Sequence, residues 1–149
     1  WGDIEKLKST IRHTGIVVQD IDKSLIFWTK IMGFNILKKM DESGNYIDKI
    51  TGLNKVKLET YKLIDKNGNI IELLKFLSHP GEKSWNGSSN STGITHLALN
   101  VDSIEYFLRI FNNFGYINNV NPQISPDGKV KVVYVNGPEG IILELVENL

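Results

Sequence analysis

Ile11-Arg12-His13-Thr14-Gly15-Ile16-Val17-Val18 and, further along, Ile94-Thr95-His96-Leu97-Ala98-Leu99-Asn100-Val101 open two copies of one short pattern. The first copy closes with Asn69-Ile70-Ile71-Glu72-Leu73-Leu74 and the second with Gly140-Ile141-Ile142-Leu143-Glu144-Leu145-Val146. Each copy therefore carries a His in its opening apolar run and a Glu in its closing one. An ionisable residue inside an apolar strand is costly unless it is paired or ligated. Four of them at matched places predict one metal site, with His13 and Glu72 from one half and His96 and Glu144 from the other. A lone strand histidine is more often a hydrogen-bonded structural residue than a ligand; the fourfold match reverses that reading.

Working outward, residues 11–18 form a strand by composition. Asp20 or Asp22 can cap a helix from Ser24 to Met32, whose Leu25, Trp28, Ile31 and Met32 make one apolar stripe. Gly33 stands where such a helix stops. Phe34 to Lys38 is a short strand, and 41–55, with Gly44, Gly52 and several Asn and Asp, is a loop. Val56 to Ile64 and Ile70 to Leu77 are strands joined by the hairpin signal Asp65-Lys66-Asn67-Gly68-Asn69. The stretch His79 to Gly93, rich in Gly and Ser, is a linker. The order then repeats. A strand at Ile94 to Val101 leads to a helix at Ser103 to Phe114, with Ile104, Phe107, Leu108 and Phe111 on one face. Gly115 and Tyr116 match Gly33 and Phe34, and strands follow at Val130 to Val135 and Ile141 to Val146. The order β-α-β-β-β thus occurs twice, which sets the modules at 11–79 and 94–147.

Alternation sorts these strands by face. His13 goes with Ile11, Gly15 and Val17, and His96 with Ile94, Ala98 and Asn100. Glu72 goes with Ile70, Leu74 and Phe76, and Glu144 with Ile142 and Val146. The opposite faces are apolar and suit packing against the helices. The His/Glu face also carries apolar residues and is expected to line a cavity, with Phe76, Asn100 and Tyr134 among its walls. Glu59 is assigned to the surface of a twisted strand, with a second base pointing into the cup as the alternative; His79 is assigned to a solvated loop, and the run Lys38-Lys39-Met40-Asp41-Glu42 to a solvated turn.

Composition narrows the function classes. The chain has 149 residues, 41% of them apolar, enough for one ordinary domain or two small fused modules. Its 17 basic and 17 acidic side chains cancel, which argues against nucleic acid or an anionic membrane as the main partner. No apolar run is long enough to span a bilayer, and no signal-peptide pattern is present. The absence of cysteine excludes disulfides, thiolate metal sites and a Cys nucleophile. A soluble cytoplasmic protein acting on a small molecule is expected.

Two imidazoles and two carboxylates suit Zn, Ni, Co, Fe or Mn as a divalent ion, and the carboxylates balance its charge. Such an ion, bound to a carbonyl oxygen, stabilises the enolate left when the adjacent carbon loses a proton. Glu144 or Glu72 is then the candidate base. The matching reaction class is proton abstraction next to a carbonyl, followed by reprotonation.

These residues resemble the vicinal oxygen chelate superfamily, which includes glyoxalase I, methylmalonyl-CoA epimerase, extradiol dioxygenases and bleomycin- and fosfomycin-resistance proteins. The motifs are His13 with the helix start Asp-Ile-Asp-Lys-Ser-Leu-Ile-Phe-Trp, Ile-Met-Gly-Phe at 31–34, Ile-Glu-Leu-Leu at 71–74, Thr-His-Leu-Ala at 95–98 and Gly-Pro-Glu-Gly-Ile-Ile-Leu-Glu-Leu at 137–145. The resemblance covers residues 11–147. It implies an α+β fold of two tandem βαβββ modules forming a cup-shaped sheet, a metal in the cup, and a homodimer. Glu72 at the second ligand position leans toward the glyoxalase I-like branch, a lactoylglutathione lyase-like lyase or isomerase. Methylmalonyl-CoA epimerase-like chemistry and a drug-sequestering binding protein are the alternatives. Ligands split across the modules argue against an extradiol dioxygenase. The Arg and Asn contacts that hold glutathione in glyoxalase I have no evident counterpart; Arg12 is near the expected place, but alternation turns it toward the helix side.

Overall fold

The computed structural model describes residues 7–81 and 87–149. The elements are β1 (Thr14–Val17), α1 (Ile21–Ile26) with a π-helical turn at Phe27–Ile31, β2 (Asn35–Ser43), α2 (Asn45–Thr51), β3 (Lys57–Ile64) and β4 (Ile70–Phe76). They continue with β5 (Leu97–Asn100), α3 (Ile104–Asn113), β6 (Gln123–Ile124), β7 (Val130–Asn136) and β8 (Ile142–Asn148). The fold is α+β with two four-stranded sheets, ordered β1-β4-β3-β2 and β5-β8-β7-β6. In each, the opening strand lies parallel to the last one, and the last two form an antiparallel hairpin. The twofold βαβββ order expected from the sequence is present, with α2 inserted in the first copy. None of the helices among the described residues is long and apolar enough to cross a membrane.

The chain divides into two compact units. One contains the first sheet and α2; the other contains the second sheet, α3, and the segment Asp22–Met32. In the first unit, β3 and β4 alternate as read from the sequence. Leu63, Ile71 and Leu73 are buried on one face, and Lys62, Glu72 and Leu74 share the other. The Asp65 carboxylate closes the hairpin by accepting from the backbone N–H groups of Asn67 and Asn69 and from the Asn69 amide. Partial burial alone would raise its pKa; these donors outweigh burial and hold it below the ordinary carboxylate value.

Three local expectations for this unit need correction. The opening strand starts at Thr14, so His13 lies just before it. β1 is an edge strand, and its ladder with β4 begins only at Thr14 opposite Ile71. β2 runs on to Ser43, so the Lys38–Glu42 charges lie in a strand and not in a turn. Charges there suit an unpaired edge, which they protect from further pairing. Residues 45–51, expected as loop, are α2, bracketed by Gly44 and Gly52 with positive φ. Ile47 of α2 packs with Val56, Leu58, Leu74 and Phe76, on the same sheet face as Glu72. Asp48 fixes the return of the chain, its carboxylate accepting from the N–H groups of Lys55 and Val56 at 3.0 and 2.9 Å.

In the second unit, the helix expected at Ser24–Met32 begins at Ile21 and widens into the π turn. The wider turn directs both Phe27 and Trp28 inward along with Ser24 and Ile31, while Leu25 and Met32 are half-buried. Phe27 meets Phe111 of α3 and Tyr116 edge-on, at ring centroid distances of 5.2 and 5.4 Å. α3 carries the expected apolar face, with Ile104 and Phe111 fully buried. Its N-terminus is capped twice: Ser103 Oγ accepts from Tyr106 N–H, and Glu147 Oε1 accepts from Ile104 N–H at 2.7 Å. The opening strand here is again shorter than expected and starts after His96. β6 is two residues long and escaped notice because so short a strand has no period to detect.

Gly137 is a space requirement and not a conformational one, since its φ is −98°. A Cβ there would lie 3.1 Å from Ile141 Cγ2 and 3.3 Å from both Leu143 Cδ1 and Phe27 Cζ. Gly137→Ala is therefore expected to overpack this core and lower stability by about 1–3 kcal/mol. Urea unfolding, compared with Gly81→Ala, checks this. At Gly81 the nearest atoms are 3.8 and 3.9 Å away, and little change is expected.

Candidate functional site

Each unit builds one imidazole–carboxylate pair by the same route. In the first, β1 places Gly15 beside Glu72 and β3 places Lys62 on its other flank. His13 precedes β1 on the Gly15 side of the alternation, and its Nε2 lies 3.7 Å from Glu72 Oε1. In the second, Ala98 and Tyr134 flank Glu144, and His96 Nε2 lies 3.1 Å from Glu144 Oε1. The side chains are 30% (His13), 16% (Glu72), 31% (His96) and 22% (Glu144) exposed, so all four are shielded but reachable.

His96 is held more closely than His13. Thr95 Oγ1 lies 3.0 Å from its Nδ1, and the Tyr134 ring lies against it at 4.9 Å with a 39° tilt. A hydroxyl can donate or accept, so Thr95 can serve either tautomer of His96. Arg12 stands at the matched position in the first half and is exposed.

Within each unit, the described His, Asp and Glu side chains offer a pair and not a set of three or more ligands. The donors suit a borderline divalent ion. Two donors each ~2.1 Å from one ion, at angles of roughly 95–125°, stand about 3.1–3.7 Å apart. The two spacings, 3.1 and 3.7 Å, fall in that range. Without a metal, the same pairs are ion pairs whenever the imidazole is protonated.

The remaining residues singled out from the sequence sort plainly. Glu59 stands opposite Asp41 and Lys75, on the face away from Glu72, and is half-buried. His79 is half-buried, and its Nδ1 lies 2.8 Å from Ser78 Oγ. Phe76 shares the face of Glu72 but packs against the α2 cluster. Asn100 is exposed, and Tyr134 stands at Glu144. The sequence reading missed Thr95 and Lys62. The signal for Lys62 was available: counting back through the two hairpins places Lys62 and Tyr134 at matched positions.

A family model described as Glyoxalase/Bleomycin resistance protein/Dioxygenase superfamily matches residues 10–145. The chain belongs to this superfamily. It is 28% identical over 141 residues to a probable lactoylglutathione lyase of Vibrio cholerae, covering 93% of this chain and 90% of that one. A glyoxalase family protein from Bacillus cereus shares the fold with a TM-score of 0.83 at 23% identity, covering 97% of both chains. The trypanothione-dependent glyoxalase I of Leishmania major superposes with a TM-score of 0.60 at 19% identity, over 94% of this chain and 87% of that one. The two His–Glu pairs stand in matching places of the two βαβββ copies.

Thr95→Val removes the hydroxyl at nearly constant shape. The side-chain ¹⁵N resonances of His96 are expected to shift toward a different tautomer balance while those of His13 stay in place. Unchanged His96 signals would show that the hydroxyl does not set its tautomer.

Proposed function

We propose that this chain is a divalent-metal-dependent lyase or isomerase of the glyoxalase I (lactoylglutathione lyase-like) type. It works on a small-molecule substrate in the cytoplasm, as a homodimer. The observation that carries the reading is the His–Glu pair built twice at metal-ligand spacing. The similarity to proteins called probable lactoylglutathione lyases supports the same branch. Dimer formation is supported by exposed apolar residues next to edge strands: Ile11 and Val17 by β1, and Ile94 by β5.

In this reading, His13, Glu72, His96 and Glu144 together hold one Zn, Ni, Co, Fe or Mn ion. The bound ion supplies electrophilic pull on the substrate's carbonyl oxygen. The chain does the rest. The two neutral imidazoles and two carboxylates balance the 2+ charge, so the half-buried site carries little excess field. Glu144 or Glu72 accepts a proton from the carbon next to the carbonyl and returns it to the neighbouring carbon. Thr95 and Tyr134 keep the His96 ring in the plane that presents Nε2.

Protein purified without chelator is expected to carry about one divalent ion per chain by elemental analysis, and His96→Ala to lose most of it. Negligible metal after supplementation, with His96→Ala indistinguishable from the parent, would defeat the metal assignment. The reaction is tested by proton exchange in D₂O with metal-loaded protein. The panel is the hemithioacetal of methylglyoxal and glutathione, methylmalonyl-CoA, and several 2-hydroxy ketones. Deuterium incorporation that falls by about 10²-fold or more in Glu144→Gln or Glu72→Gln is the expected outcome. Exchange with methylmalonyl-CoA alone would move the assignment to an epimerase. Saturable binding without exchange, surviving metal removal, would make the protein a sequestering one.

A further inference from the structure

One row of the first sheet, on the face of Glu72, reads Gly15, Glu72, Lys62, Lys38 across β1, β4, β3 and β2. Residues directly opposite on antiparallel strands point the same way, with Cβ atoms about 4.5–5.5 Å apart. Lys62 is thus the immediate neighbour of Glu72, and Lys38 is the immediate neighbour of Lys62. Two lysines in direct opposition repel each other. The arrangement is not resolved by Glu72, which turns its Oε1 toward His13. Among the described residues, no ion pair joins either lysine to a carboxylate. The extra residue in β2 between Ile36 and Lys38 makes this opposition possible. It shifts the register so that Lys38 faces Lys62, where Ile36 faces Leu63.

The rest of the face limits what could answer the two cations. Toward one end, Thr60 is buried, and Leu58, Leu74 and Phe76 pack with Ile47 of α2. Toward the other, Ile64 and Ile70 close the hairpin. The carboxylate on this face of β2 is Glu42, which stands opposite Leu58, four pairs along the ladder from Lys38. Lys39 and Asp41, which do pair at 3.0 Å, lie on the opposite face. The second copy has no such row: the position matched to Lys62 is Tyr134, whose ring is already engaged with His96.

We infer that Lys62 and Lys38 form an anion subsite beside the His13–Glu72 pair. The substrate would then carry a carboxylate or a phosphoryl-type oxyanion near its reacting carbonyl. The inference rests on the reading that His13–Glu72 belongs to the substrate site. The charge balance gives the reason for it: the ligand set neutralises a divalent ion, and the two lysines then leave the first half of the site net positive. An anionic group placed there relieves the lysine–lysine repulsion and receives charge-assisted hydrogen bonds. Lys62 is half-buried and acts as the orienting contact; Lys38 is exposed and supplies the outer one.

The test uses ¹⁵N-labelled, metal-free protein, so its outcome does not depend on the proposed reaction. The probes are inorganic phosphate, pyruvate and methyl pyruvate, followed by backbone chemical shifts. Saturable shifts confined to residues 36–40 and 60–64 are expected with phosphate or pyruvate and not with the neutral ester. Phosphate alone or pyruvate alone would fix the oxyanion as phosphoryl or carboxylate. Lys62→Gln should weaken binding at least tenfold and Lys38→Gln about threefold. Lys62→Arg, which keeps the cation, should bind within about threefold of the parent, and Lys75→Gln on the opposite face should leave it unchanged. If Lys62→Gln loses its dispersed spectrum, the Lys38→Gln and Lys62→Arg comparisons carry the test. Equal losses in Lys75→Gln, equal binding of the ester, or no saturable shift with either anion would overturn the subsite. Anion binding at these residues, alongside a failed exchange screen, would keep the subsite and reject the proposed reaction.

Discussion

Each glutamate of the site sits on a strand between two residues that are almost wholly buried. Glu72 is fixed between Ile71 and Leu73, and Glu144 between Leu143 and Leu145. Because strand side chains alternate, burial of the neighbours forces the carboxylate to the other face. A one-residue slip would exchange the carboxylate for a leucine and place a charge in the core. The hydrophobic effect on the far face therefore sets the position of the polar chemistry on the near one. The parallel neighbours of the two glutamates are Gly15 and Ala98, and each histidine stands two residues before its neighbour.

Much of this was legible because it depends on period and repetition. The strands 56–64 and 70–77, their hairpin, the apolar face of 103–114 and the partition of Glu72 and Glu144 from their neighbours all follow from alternation or helical spacing. Features that depend on tertiary context were not legible. α2 hides among glycines and Asn that also suit a loop, and it is held there by Asp48 and by Ile47 packing onto Leu58 and Phe76. The charges of β2 mimic a solvated turn because an edge strand and a turn both favour them. The π turn adds one residue to a helical stripe and so moves Phe27 inward against the expected phase.

The two copies agree in backbone and diverge in what surrounds the conserved geometry of the pairs. Around Glu144, a tyrosine ring and a threonine hydroxyl hold the histidine. Around Glu72, the matched places hold Lys62 and Arg12, so the first half offers charge where the second offers orientation. Pseudo-symmetry thus repeats the His–Glu pair, and the residues around each pair are where the two copies differ. Fold likeness alone says nothing about such differences.

The segment Asp22–Met32 lies in the first sequence copy but belongs to the second compact unit. The polypeptide accordingly passes between units at 21/22, at 32/33 and again after residue 81. Repeats in sequence and units of folding are therefore interlaced in this chain. Phe27, at the centre of the second unit's aromatic cluster, is encoded ahead of most of the first sheet. On the ribosome, that core has to wait for Phe111 and Tyr116, long after its first member has emerged. Evolutionary exchange of one half for another would have to carry the helix of its neighbour along with it.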